Sequence, residues 1–215
     1  MVEFIQNLVG NDKIATLIMS FIPLIELKGG IIFARGAALN FFESFSLAYV
    51  GSTIAFIPVF FLLVPILNLL KKIKWFNAFA DKTELFFKEK ADGALKKAEK
   101  NGKKARTEKF YKMLGTFIFV AIPLPMTGVW TGTAVAVFLG LKFKDAVLPV
   151  VIGNFIAGAI ISVLAEIIIA LSSDFAMAKT ILDGVLWGLF ALAAVMLIIV
   201  IVKISLKKKS TAEEK

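Results

Sequence analysis

Apolar residues fall in blocks of two lengths along this chain. Ser44–Leu70, Ala146–Ala165 and Val185–Val202 are uncharged and approach or exceed the ~18–20 residues that a membrane-crossing helix needs. Ile14–Ile25 is apolar for only twelve residues before Glu26 and Lys28 intervene, and Gly29–Leu39 is similarly short. At 1.5 Å per residue such a block extends ~18 Å, roughly half of a ~30 Å hydrocarbon core. The two short blocks predict a re-entrant helical hairpin over 14–39, with its tip near Pro23–Gly30. Met113–Leu141 is uncharged but broken by Pro123, Pro125 and several glycines, and it predicts a second hairpin over 113–141. The full spans expected are 44–70, kinked or frayed by Pro58 and Pro65, then 145–171 and 177–206.

The two hairpins resemble one another in sequence. Ile22–Leu39 (IPLIELKGGIIFARGAAL) and Ile122–Ala136 (IPLPMTGVWTGTAVA) both open on Ile-Pro-Leu and pass through a glycine-containing turn. Small residues spaced by four follow: Gly30, Ala34 and Ala38 in one copy, and Gly128, Gly132, Ala136 and Gly140 in the other. Further on, Gly51-Ser52-Thr53-Ile54-Ala55 is echoed by Gly153-Asn154-Phe155-Ile156-Ala157. Short apolar segments interrupted by Gly and Pro at matching positions of two halves point to a transport site built on broken helices.

Between the halves, Lys71–Lys109 holds thirteen Lys/Arg against six Asp/Glu. Trp75, Phe76, Phe79, Phe86, Phe87, Ala91, Ala94, Leu95 and Ala98 recur there at helical spacing, which predicts amphipathic helices lying on the membrane with a turn at Asn101-Gly102. Some forty residues with so few apolar positions cannot build a core of their own. Glu3–Val9 predicts a short interfacial helix. The expected organisation is therefore 1–70, an N-terminal half; 71–109, a basic cytoplasmic loop; 110–171, a C-terminal half; 177–206, an extra transmembrane helix; and 207–215, a basic tail.

Composition agrees with the pattern. Hydrophobic residues make up 59% of the 215 residues and mean hydropathy is +0.85, far from the ~45–50% apolar usage of soluble domains. Cysteine and histidine are absent, which excludes disulfides, thiolate or imidazole metal sites and Ser-His or Cys nucleophiles. No enzyme activity, cofactor or metal is expected. The net charge of +9 is concentrated in the loop, so it signals topology and contact with anionic lipid headgroups rather than nucleic acid. No cleavable signal is expected, because Glu3 and Asp12 stand where a basic n-region would be. If each hairpin returns to its own side, the loop, Lys142, Lys144 and the C-terminal lysines share one face, while Glu3, Asp12, Lys13, Glu43, Asp174 and Lys179 face the other. The positive-inside rule then places the loop and C-terminus in the cytoplasm and the N-terminus outside an inner membrane. The fold class expected is all-α integral membrane: two inverted repeats, each a re-entrant hairpin plus a transmembrane helix, with one further helix.

Charges inside a membrane hairpin cost at least ~2.5–3.5 kcal/mol each and need a partner, a cavity or a proton. Glu26, Lys28 and Arg35 are such charges: on a helix Lys28 and Arg35 would share a face, seven residues apart, and Glu26 could pair with Lys28 across the turn. Mutual neutralisation at the tip is the structural alternative to a substrate- or ion-binding role. Glu166, late in its span, and Asp183, expected to cap the last helix, carry less weight. Thr127, Gly128, Gly29 and Gly30 are candidates because a half-helix N-terminus offers unpaired N–H groups and a positive dipole end. Trp130, Thr131, Gly132 and the intramembrane Asn154 complete the candidate site. Close helix packing is the alternative for the small-residue stripes.

IPLIELKGGI, IPLPMTGVWTG and the GSTIA/IGNFIA pair resemble the small multi-drug export proteins of bacteria and archaea, over about Asp12–Leu171. That family is distantly similar to the DedA/VTT superfamily, whose resemblance implies two opposed re-entrant hairpins and, for some members, translocation of polyprenyl-phosphate lipids. The resemblance also implies an acidic site residue in the first hairpin, which Glu26 matches, and basic residues in both. Lys28 or Arg35 stands for the first base, but no arginine lies between Pro123 and Leu141. The function expected is a secondary, ion- or proton-coupled exporter of a small molecule, with a lipid translocase or scramblase and a non-transporting membrane-organising protein as alternatives. Its partners would be the bilayer, anionic headgroups, a small-molecule or lipid substrate, and a second copy in a homodimer.

Overall fold

Two Ile-Pro pairs mark where the first helix of each half stops, although α-helix also continues through Pro58, Pro65 and Pro149 elsewhere. The residue before a proline is biased away from the helical region. Helix α1 (Asp12–Phe21) accordingly ends with Ile22 extended at φ −72°, ψ 134°, ahead of Pro23. Helix α4 (Lys104–Ala121) ends one residue before Ile122-Pro123. Each chain then turns back into a short helix, α2 (Glu26–Gly36) or α5 (Val129–Phe138), and leads into a long one, α3 (Phe41–Leu70) or α6 (Phe143–Leu171). The computed structural model describes residues 9–70, 104–124, 127–172 and 174–185, together with 187, 188, 191, 192 and 195. Among these, all regular structure is helical, and residues 175–185 begin a further helix, α7. Residues 3–8, most of the basic loop with its Asn101-Gly102 turn, much of the expected final span and the basic tail lie outside the described residues.

Helices α3 and α6 contain stretches of 26 and 29 residues that are long and apolar enough to cross a membrane. They run antiparallel. The ring of Phe45, early in α3, lies 5.2 Å from Phe155 near the middle of α6, and Phe56, midway along α3, lies 5.3 Å from Phe143 at the start of α6. At the crossing, Tyr49 Oη donates to Val151 O (3.4 Å) and Ser52 Oγ meets Asn154 Oδ1 (3.5 Å), both pairs separated by 102 residues. Asn154 Nδ2 also donates to Thr53 Oγ1 (3.1 Å), so the buried amide is satisfied between the two helices.

Other contacts recur at the same spacing. Gly30 leaves room for Ser20, and Gly132 for Val120, on the helix before each turn. Gly51 lies against the Leu17 carbonyl, while a Cβ on Gly153 would come 3.0 Å from Phe117 O. After α2, Ala38 takes φ +61° and Leu39 N–H bonds to Ala34 O; after α5, Gly140 takes φ +71° and Leu141 N–H bonds to Ala136 O, both at 3.0 Å. This left-handed C-terminal motif closes a helix by satisfying its last carbonyls. The returning helices exchange partners: Leu27 and Ile31 of α2 pack on Ala157 and Ile161 of α6, whereas Val129 and Ala136 of α5 pack with Phe56 and Phe60 of α3.

Three expectations change. Gly29 and Gly30 lie inside α2, because the turn closes earlier, at Ile22–Ile25. The last residues of the basic segment, from Lys104, continue into α4. Asp174 rather than Asp183 caps α7, accepting from Met177 N–H at 2.7 Å; Asp183 sits further along the helix, facing Gly36 of α2.

Candidate functional site

The two turns meet between the long helices. Trp130, at the start of α5, donates its indole Nε1–H to Phe21 O (2.9 Å) and sets its ring edge-on to Phe21, with centroids 6.5 Å apart. Its backbone N–H donates to Glu26 Oε1 (3.1 Å). In the other direction, Lys28 Nζ donates to the carbonyls of Leu124 and Thr127 in the second turn. Glu26 and Lys28 are each 6% exposed. The carboxylate thus sits at the positive end of α5, and the ammonium at a cluster of carbonyl dipoles, each complementing the opposite hairpin.

The sequence produces this locally. Gly128 precedes α5 and has no side chain with which to cap it. Glu26 caps it in trans instead, and a Cβ at Gly128 would overlap the Glu26 carboxylate. Glu26 itself takes φ +50°, a left-handed conformation uncommon for a side-chain-bearing residue. Thr127 secures the second turn: Oγ1 accepts from Leu124 N–H (3.0 Å) and lies 2.6 Å from Ile122 O and 2.7 Å from Leu124 O.

Of the residues singled out from sequence, Glu26, Lys28, Thr127, Gly128 and Trp130 come together at the tips. Gly29, Gly30 and Gly132 are buried, the last two as packing positions within their own hairpins. Thr131 is half-buried on α5 beside Trp130. Glu26 and Lys28 make no direct ion pair across a turn; both belong to the first turn of α2 and reach into the second hairpin. Thr127 braces its own turn with its hydroxyl, which also accepts from Lys28 Nζ at 3.5 Å. Arg35 is removed from the tips: it forms an ion pair with Glu166 (2.7 Å) and donates to Leu39 O, which makes Glu166 a structural partner. Asn154 belongs to the α3–α6 crossing.

Sequence reasoning misses the carbonyls of Phe21, Leu124 and Thr127 as acceptors. Every residue carries a carbonyl, so no residue type marks them; the nearest signal is the proline-broken turn itself. Glu166 has one: it is the acid that interrupts an apolar run, directly after the uncharged block Ala146–Ala165 and before Ile167–Leu171.

Residues 26–160 match the family model described as "Putative small multi-drug export protein". The chain belongs to this family. The matched region begins at Glu26 and runs past Asn154, so it holds Glu26, Lys28, the second turn and the α3–α6 crossing, while the first turn at Ile22–Ile25 precedes it. No curated protein and no solved structure matches the chain. Membership in an export family and two apolar helices of spanning length agree in describing a membrane protein concerned with transport.

Proposed function

We propose that this family member is a secondary exporter whose two halves are inverted repeats in the membrane, each a re-entrant hairpin followed by a spanning helix. The antiparallel run of α3 and α6 and the contacts recurring at 102 residues support the inversion. Leu17 beside Gly51 and Phe117 beside Gly153 support hairpins that reach about half way along each long helix, because the turns follow a few residues later. With the basic loop cytoplasmic, the tips enter from opposite sides and meet near mid-depth.

The observation that carries the reading is the reciprocal tip contact, Glu26 to Trp130 N–H and Lys28 to the second turn. Both charges belong to the first hairpin and are buried against the second. A carboxylate at such depth needs a partner or a proton, and intramembrane acids of this kind mark coupling sites. Protonation of Glu26 removes the charge that caps α5 and frees the second tip to part from the first. A small molecule then passes between the tips, driven by the proton gradient.

Proteoliposomes loaded with the cationic dye ethidium and given an imposed pH gradient test the reading. Wild-type protein should show gradient-driven dye efflux, and Glu26→Gln should abolish it while the protein stays folded and inserted. Undiminished coupled efflux by Glu26→Gln would overturn it, as would absence of efflux in the wild type across a panel of cationic dyes.

A further inference from the structure

The two ends of the molecule are built on one scaffold but differ in charge. After Ala38 and Gly140, the chain leads into α3 through Asn40-Phe41-Phe42-Glu43 and into α6 through Lys142-Phe143-Lys144-Asp145. Backbone bonds match at these two helix starts, with Ser44 N–H to Asn40 O (2.9 Å) and Ala146 N–H to Lys142 O (3.0 Å). Each helix start also carries an ion pair from a preceding helix: Lys13–Glu43 at 2.6 Å and Lys109–Asp145 at 2.5 Å. That ion pair is common to both ends. Lys142 and Lys144 are not, since Asn40 and Phe42 hold the matching places. The fold therefore does not need them.

Lys109, Lys142, Phe143, Lys144 and Asp145 line an open groove of about 580 Å³. Three lysines against one aspartate leave it cationic even with Lys109 and Asp145 paired. Among the described residues no acidic side chain pairs with Lys142 or Lys144. The floor is aromatic: Phe143 stacks on Phe61 at 5.3 Å and lies 5.3 Å from both Phe56 and Phe60. Phe61 continues the apolar surface outward at 60% exposure. A cationic rim above an exposed aromatic wall, at the end of two helices of spanning length, matches a phosphate headgroup carried on acyl chains.

We propose that this groove seats one anionic phospholipid, its headgroup phosphate between Lys142 and Lys144 and an acyl chain along Phe143 and Phe61. The inference needs the membrane location but not transport. The asymmetry with Asn40 and Phe42 confines the seat to the end that carries the basic loop. An aromatic wall favours a lipid over a free anion, which would take only the rim.

Native mass spectrometry of the detergent-purified full chain, equilibrated with equimolar phosphatidylglycerol and phosphatidylcholine, tests it. Wild-type protein should retain phosphatidylglycerol with roughly thirtyfold preference, about a factor of five for each lysine at a membrane surface. The double variant Lys142→Gln/Lys144→Gln should lose most of that preference while keeping its melting temperature. Asn40→Gln is the matched control at the other end and should change nothing. Equal retention of the two lipids, unchanged retention by the double variant, or displacement of the lipid by millimolar inorganic phosphate would overturn the proposal.

Discussion

Lys28 and Trp130 stand the same 102 residues apart as Ser52 and Asn154, and each reaches across to the opposite hairpin, Lys28 to carbonyls of the second turn and Trp130 to the carbonyl of Phe21, the last residue of α1. One bond is made by a buried ammonium, the other by a neutral indole N–H. The scaffold thus makes the same crossing twice, and only the first hairpin puts charge into it.

That difference sets the stability costs. Lys28→Met should cost about 1–3 kcal/mol or more, because it strands two turn carbonyls and leaves Glu26 as the one charge at the tips. Trp130→Phe keeps the ring and removes one N–H donor, for about 1 kcal/mol. Thermal unfolding in detergent should rank Lys28→Met below Trp130→Phe, and the reverse order would mean that the indole is the principal tie.

Gly128 and Glu26 should be coupled. Gly128→Ala pushes a methyl into the space the Glu26 carboxylate occupies, an overpacking cost of about 1–3 kcal/mol. In a Glu26→Ala background that obstacle is gone. A double-mutant cycle should therefore give a coupling of at least about 0.5 kcal/mol, measured by the melting of the four proteins. Strict additivity would place Glu26 elsewhere.

The packing glycines should differ in whether they can be rescued. A Cβ at Gly51 meets the Leu17 backbone, whereas one at Gly30 meets the Ser20 side chain. Gly51→Ala and Gly30→Ala should each lower the melting temperature, but Ser20→Gly should restore much of the loss only for Gly30→Ala. A side-chain obstacle can be deleted; a helix backbone cannot.

The absence of cysteine from the chain makes the proposed inverted arrangement easy to probe. Asn40→Cys and Lys142→Cys occupy matching, exposed places just before α3 and α6. Membrane-impermeant maleimide on intact cells should label residue 40, and residue 142 should label only after the membrane is opened. Labelling of both from one side would sink the inversion.

Local covalent rules make much of the fold legible. Ile22-Pro23 and Ile122-Pro123 favour a helix end, since the residue before proline is biased out of the helical region, and α1 and α4 end there, whereas α3 and α6 run on through Pro58, Pro65 and Pro149. Block length separates α3 and α6 from the short helices, because length is a count along the chain. Glu26, Lys28, Gly128 and Trp130 stand out as unusual for an apolar hairpin. Which group each of them meets does not, and so proximity along the chain pairs Glu26 with Lys28 and puts Arg35 in the same site. Their actual partners lie in the other half of the chain and become neighbours only when α3 and α6 cross antiparallel. Sequence by itself determined which segments are long or short helices and that the chain turns back near each Ile-Pro pair, through proline and apolar run length, but not where α2 and α4 begin. The tertiary structure alone decided that Glu26 caps α5, that Lys28 binds the second turn and that Arg35 leaves for Glu166, because a charged side chain takes whichever partner packing brings within hydrogen-bond reach.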